Sequence, residues 1–349
     1  MWKKAVKYTA IILLVVIVGT GAYAGYLYSK ADHMLDDMTV KNTNSNSIKD
    51  EKPKDLKPMT ILLAGIDHRE KTGSMNSDVL MAITLNPKMK SATVVSIPRD
   101  LQLTPDDLQH RKANYYFPHF YLKDEQTAFE NTKKVFEEVV GLPIEHMVTV
   151  DFQGFEEIVD ELGGLDINVD MDMRYVDTWD GTNIDLKQGM QHLDGKKTLD
   201  FVRYRKSNRG TEPSSDGARN ERQQQVLGEL LGKLASVNGV SKFGSLMEIM
   251  GKHVKTDLSP GEMKDFIQTY LGISTQNIRF IHLDGEWESP YIVVKPEDIE
   301  AAQQALKHEL NKTPESEAAA KAAEDAKQSQ NQLTGSDEEP GSGTAGTNG

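Results

Sequence analysis

Residues Ala92–Leu103 read ATVVSIPRDLQL, a β-branched run that stops on proline, arginine and aspartate. Val94, Val95 and Ile97 leave no room for polar alternation, the pattern of a strand covered on both faces. Arg99 at the end of such a strand lies near the core. It must meet an anion there, because an unpaired buried charge is very costly. The neighbouring Asp100, a carboxylate distant in sequence or a bound ligand would each serve. For one Arg-Asp dipeptide alone, a structural ion pair is the simplest reading.

A strand covered on both faces implies layers above and below it, and the surrounding sequence supplies them. Thr60–Asp67 (TILLAGID) is a buried strand, and VLMAITLNPKMKSATVVSI is a hairpin turning at Asn86-Pro87-Lys88. Ala128, Phe129, Thr132, Val135, Phe136, Val139 and Val140 share one helical face, stopped by Gly141 and Pro143. MVTVDF and LDINVD are strands separated by the short helix FQGFEEIVDELGG, and LDFVRYR reads as a further strand. A long helix is expected from about Gly217 to Val237. NIRFIHL is a strand, and PEDIEAAQQALKHEL a helix with Pro296 near its start. The fold class is α/β, a mixed central β-sheet sandwiched by helices in a single globular domain.

The flanks place that domain outside the cytoplasm. Lys3, Lys4 and Lys7 precede an apolar run from Tyr8 to Tyr28, long enough to span a bilayer as a helix with its basic end inside. Ala22-Tyr23-Ala24 resembles a signal-peptidase site, but the apolar run continues past it to interface-type tyrosines, which favours an uncleaved anchor. The expected organisation is a cytoplasmic tail at 1–7, a single-pass anchor at 8–28 with the N-terminus inside, a flexible polar stalk at 29–58, an extracellular domain at 59–310 and a disordered tail at 311–349. The chain carries no cysteine, which excludes disulfides and thiolate chemistry. Its net charge of −13 argues against a nucleic-acid partner.

The arginines are unevenly spread. Five of the chain's ten fall between Arg203 and Arg222, in RYRKSNRGTEPSSDGARNER. A planar guanidinium is favoured where carboxylate or phosphate is gripped by paired hydrogen bonds. On a strand, Phe201, Arg203 and Arg205 would share a face. On the following helix, with Asp216 a suitable N-cap, Arg219, Arg222, Gln223 and Val226 would share a stripe. Arg203, Arg205, Arg219 and Arg222 therefore read as an anion site, whereas Lys206 and Arg209 read as solvated. Asp67 and Asp78 lie near strand ends, where sites form in open α/β sheets. They suit a magnesium ion beside a diphosphate; simple pairing with Arg69 and Arg99 is the competing reading.

GIDHR, NSD, SIPRD, the R-x-R and D-x-x-R-x-x-R-Q of Val202–Gln223, LPIEHMVTVDFQGFEEIVDELGGLDINV and LKQGMQHLDGKKTLDFVRYR, behind an N-terminal anchor, together resemble the LytR-CpsA-Psr family. The resemblance implies a membrane-bound phosphotransferase that takes a glycopolymer (teichoic acid, capsule or similar) from a polyprenyl-pyrophosphate carrier and attaches it to peptidoglycan through a phosphodiester. Carried over by motif, Asp67 and Asp78 hold Mg2+ or Mn2+ with Arg69 close by. Arg69, Arg99, Arg203, Arg205, Arg219, Arg222 and Gln223 bind the diphosphate, with Arg99 and Asp78 at the chemistry and Asp78 as candidate base. Asp216 supports the arginine segment, and Lys112 and Asn114 match the family's Lys-x-Asn. A polyprenyl tunnel in this family would be lined here by Phe136, Val139, Val140, Phe155 and Leu230. Two departures stand out: Asn76 before Ser-Asp where the family often has arginine, and YYFPHFYLKD after Asn114 where it usually has a glycine-rich step. Pyrophosphate hydrolysis, and non-catalytic wall binding or regulation, are the rival activities.

Overall fold

The computed structural model describes residues 33–40, 56–69, 74–178, 181–236, 242–270 and 273–319. Its centre is a six-stranded mixed sheet. β1 (Met59–Arg69), β2 (Ser74–Asn86) and β3 (Ser91–Ser96) form an antiparallel meander. His146–Asp151 runs parallel to β1 and Ile278–His282 parallel to β3, while Val254–Thr256 closes the edge antiparallel to His146–Asp151. Every residue of β3 is buried, as its unbroken apolar pattern requires. The strand stops because Pro98 has no N–H to give a ladder.

Leu62, Ala64 and Ile66 of β1 lie on one face of the sheet with Leu80, Ala82, Val95 and Ile97, against the helices Tyr116–Lys123, Glu125–Val140 and Pro296–Asn311. Gly141 ends the second of these in the left-handed region, at φ 68°, its N–H donating to the Glu137 carbonyl. Tyr116, Phe117 and Phe120, from the stretch that departs from the family pattern, are core residues here; Tyr115 and Leu122 are exposed. A second cluster gathers Leu165, Ile167, Val169, Phe201, Tyr204 and Val226. Phe136 and Val140 belong to the first cluster and Val139 packs against it, whereas Phe155 and Leu230 pack against the second. The five residues expected to line one tunnel therefore fall in separate cores.

Three further expectations change. LDFVRYR is not a strand: Gly195–Arg203 is a helix, capped by Asp194, whose carboxylate accepts from the Lys197 N–H, and braced by Lys196–Asp200 at 2.9 Å. The apolar run there is short enough to satisfy either period, and the cap decides. The following long helix spans Asp216–Ala235, and its N-cap is Ser215, whose hydroxyl accepts from the Ala218 N–H; Asp216 is the first helical residue. Finally, residues 33–40, expected within the stalk, are ordered against the domain. Residues 33–38 are helical, Leu35 and Met38 are 2% and 3% exposed, and Val40 N–H donates to the Thr256 carbonyl at 2.8 Å. They share a cluster with Met247, Val254, Leu258 and Met263.

Among the described residues no helix is long and apolar enough to cross a membrane; the run Tyr8–Tyr28 lies outside them, as do most of the stalk and residues 320–349. Residues 311–349 form a separate unit, in which 314–319 are helical. If the 33–40 segment is part of the folded domain, Leu35→Ala should lower its unfolding free energy by about 2–3 kcal/mol. Urea denaturation checks this, and an unchanged midpoint and slope would show the segment to be energetically detached.

Candidate active site

The turn after β3 is pinned from three directions. Leu101 N–H closes onto the Pro98 carbonyl, Asn114 N–H donates to the Arg99 carbonyl, Ala113 N–H to Leu101, and Ile292 N–H to Asp100, all within 2.8–3.0 Å. Lys112 and Asn114 are thus tied to Pro98-Arg99-Asp100 partly through backbone, and the Tyr291–Val293 strand is tied to it as well.

Within this frame Arg99 Nη1 donates to Asp78 Oδ1 at 2.6 Å, the distant carboxylate of the three possible anions. Its Nε is buried and has no hydrogen-bond acceptor among the described residues; Asp100 Oδ2 stands 3.6 Å away. Asp100 is itself a hub. Lys112 Nζ donates to Oδ1 at 2.8 Å, and Arg205 Nη2 approaches Oδ2 at 3.5 Å. Burial pushes the Asp100 carboxyl upward, but the Lys112 hydrogen bond and the charges of Arg99, Lys112 and Arg205 outweigh it and hold the group below the ordinary carboxylate range.

Asp78 owes its position to an irregularity. Gly65 pairs with Val79 but Ile66 pairs with Ser77, so Asp78 is an extra residue with no partner on β1. Such a bulge re-aims the side chain it carries. Gly65 permits the close approach: a Cβ there would stand 3.0 Å from that of Val79. On β1, Asp67 is buried and accepts from Arg203 Nη2 at 3.2 Å, and the Arg203 guanidinium lies 4.9 Å over the Phe152 ring. Arg203 and Arg205 therefore diverge to different carboxylates, as the end of a helix rather than a strand allows.

A cavity of about 40 Å³ is lined by Asp78, Arg99, Asp100, Arg219 and Gln223, with Leu283–Gly285 and Ile292 at its side. Burial, then the nearby charges of Arg205 and Arg99, push the Arg219 guanidinium down to about 10. Burial and Arg99 likewise lower Arg205. The structure thus brings Asp78, Arg99, Arg219 and Gln223 to one small cavity, with Lys112 and Arg205 gathered on its lining residue Asp100.

Arg222 goes elsewhere. It is 1% exposed, donates from Nε and Nη2 to the two Asp170 oxygens at 2.7 Å each, and reaches the Tyr204 carbonyl at 3.3 Å. Its fork is consumed by a protein carboxylate, so its expected place in a diphosphate clamp is corrected to a brace for the arginine helix. The side chains of Arg69 and Asp216 lie outside the described ones, while Arg209 and Lys206 are exposed. Asp100 and Asp170 are the anchors that sequence reasoning missed as hubs. Asp170 ends LDINVD, where a terminal carboxylate is one signal for a basic partner.

For a divalent cation, the available donors are Asp67 and Asp78, both largely buried and each already facing a guanidinium. No group of three or more His, Asp or Glu suited to a metal occurs among the described residues. Two carboxylates completed by substrate phosphates are a normal magnesium arrangement, so the residues fit.

The LytR_cpsA_psr family profile matches residues 22–340. The chain belongs to the LytR-CpsA-Psr family. Among curated relatives, the polyisoprenyl-teichoic acid–peptidoglycan teichoic acid transferase TagU of Bacillus mycoides is 32% identical over 82% of this chain and 89% of its own length. TagV of Bacillus subtilis, a transferase of the same description, is 30% identical over 87% and 78%. The B. subtilis TagV crystal structure superimposes with a TM-score of 0.59 at 28% identity, covering 74% of this chain and 99% of that one. TagT bound to LIIa-WTA shares the fold, with a TM-score of 0.57 at 24% identity, 78% of this chain and all of that one.

Two stability predictions separate hub from site. Arg222→Lys keeps the charge but loses the fork, and should cost roughly 2–4 kcal/mol in urea unfolding. Arg219→Met removes a desolvated cation among like charges, and should unfold at an equal or higher temperature. The reverse ranking would exchange their roles. The depressed Asp100 carboxyl contributes stability above its unfolded value, and this is lost as pH falls through the folded one. The stability gap between wild type and Asp100→Asn should therefore be widest near neutrality and shrink as pH falls below the ordinary carboxylate range. A gap independent of pH in calorimetry would mean that Asp100 is not held as a charge.

Proposed function

We propose that this protein is a phosphotransferase that moves an anionic glycopolymer from a polyprenyl-pyrophosphate carrier to peptidoglycan through a phosphodiester. The observation that carries the reading is the arginine cluster at the cavity. Arg99, whose buried Nε has no hydrogen-bond acceptor among the described residues, and Arg219 line it, and Arg205 stands nearby on Asp100. Burial disfavours the charges of Arg219 and Arg205. Guanidinium groups crowded in this way are poised for an anion that several of them can share. Membership of the family and the transferase relatives support teichoic acid or a similar polymer as the cargo.

In the proposed reaction a sugar hydroxyl oxygen of peptidoglycan attacks the phosphorus next to the donor glycan. The bond from that phosphorus to the bridging oxygen breaks, polyprenyl monophosphate leaves, and the hydroxyl proton passes to a base. Phosphoryl transfer needs mainly positioning and charge neutralisation. Arg99, Arg205 and Arg219 grip the diphosphate oxygens, with Gln223 as a neutral donor beside them. A diphosphate competes with Asp78 for Arg99 and releases that carboxylate for metal or proton. Asp67 and Asp78 would hold Mg2+ or Mn2+, which neutralises developing charge on phosphate oxygens. The enzyme is anchored by Tyr8–Tyr28, with its domain on the outer face of the membrane.

Charge-assisted contacts of this kind are each worth roughly 1.5–3 kcal/mol, so Arg99→Lys, Arg205→Lys and Arg219→Lys should each weaken a polyprenyl-pyrophosphate analogue about ten-fold or more. Arg209→Lys should leave it unchanged. Titration in detergent at constant salt and magnesium decides, and wild-type affinity in all three variants would remove the clamp. Transfer should stop in excess chelator and return with Mg2+ or Mn2+. Product analysis with and without peptidoglycan separates transfer from hydrolysis.

A further inference from the structure

A hairpin of Glu286–Glu288 and Tyr291–Val293 stands at the rim of the cavity. It is built onto the site rather than hung beside it. Ile292 donates its N–H to the Asp100 carbonyl and bridges to Leu101, and Leu283 donates to Ser96 at 3.2 Å. At Gly285 a Cβ would stand 2.6 Å from the Val293 carbonyl oxygen, so only glycine lets the two strands close. The hairpin presents one large side chain outward: Trp287 is 57% exposed.

The register gives its direction. Trp287 pairs with Ile292, and directly opposed residues of an antiparallel pair share a face. Ile292 lines the cavity, so Trp287 stands on the cavity side. Lys112 confirms this, since its Nζ donates to Asp100 while lying 5.4 Å over the Trp287 ring. Asp284 is exposed and lines the cavity beside the hairpin, whereas Glu286 and Glu288, the strand neighbours of Trp287, alternate to the opposite face.

On the proposed transferase reading, we infer that Trp287, with Asp284 at the cavity wall, forms the acceptor-sugar subsite, which seats a glycan ring of peptidoglycan next to the diphosphate. An exposed aromatic plane suits the apolar CH face of a pyranose, and the exposed Asp284 carboxylate accepts a hydrogen bond from a ring hydroxyl. Lys112, held by Asp100, lies over one face of the indole and keeps the ring at the rim.

The test uses the full chain in detergent with two probes, a soluble uncrosslinked peptidoglycan tetrasaccharide and a polyprenyl-pyrophosphate analogue. Trp287→Ala should weaken the tetrasaccharide about ten-fold, as expected for an aromatic anchor, and Trp287→Phe only a few-fold. Neither should change affinity for the pyrophosphate analogue. In transfer assays Trp287→Ala should raise the acceptor KM and leave kcat at saturating acceptor near wild type. Unchanged tetrasaccharide affinity, or an equal loss for both probes, overturns the subsite. So does failure of the wild type to bind the tetrasaccharide. A wild type that binds the tetrasaccharide through Trp287 yet never transfers would sink the transferase reading and keep the subsite. Normal transfer with an unaltered acceptor KM in Trp287→Ala would do the opposite.

Discussion

The carboxylate of Asp100 holds Lys112, reaches toward Arg205 and Arg99, and sits on a turn whose carbonyls accept from two separate segments. A buried carboxylate of this kind is tolerable only because cations surround it, and the cations are positioned only because it is there. Remove it and Arg99, Arg205 and Arg219 face one another across a small space with Asp78 as the nearest counter-charge. The arrangement separates two tasks that a charged site must perform. Asp100 gathers the cluster, and Asp78 pairs with Arg99.

The arginine segment shows the same division of labour within one helix. Arg222 and Arg219 are three residues apart, yet one is closed by a two-point contact with Asp170 and the other lies against the cavity with its pKa depressed. The first stabilises the helix that carries the second. Sites built this way hold charge where folding alone would not keep it, and the surrounding brace offsets the cost.

Much of the fold could be read from periodicity. β3 is buried throughout, the hairpin turns after Asn86, and the helix ending at Gly141 has the left-handed cap its glycine implied. Local rules failed where two periods fit equally, as at Leu199–Val202, which alternation assigned to a strand and an Asp194 cap turned into a helix. The family motifs named Asp67, Asp78, Arg99, Arg205 and Arg219, but not how they divide. That Arg222 is consumed by Asp170 depends on a contact across 52 residues, which hydropathy does not encode. The bulge that isolates Asp78 leaves no compositional trace either, because it is a property of the pairing of two strands. GEWESPY carries a turn signal in Ser289-Pro290, but the face that Trp287 takes follows only from its register with Ile292.

The docked 33–40 segment changes what the polar sequence before the domain can do. With the anchor proposed at Tyr8–Tyr28, only residues 29–32 separate the lipid boundary from a helix already packed on the fold. A chain that short spans at most about 14 Å when fully extended. With the proposed anchor, that reach would hold the domain beside the headgroup region. On the proposed function, a carrier lipid would be met there by lateral diffusion, whereas the glycan strands would have to come down to the site.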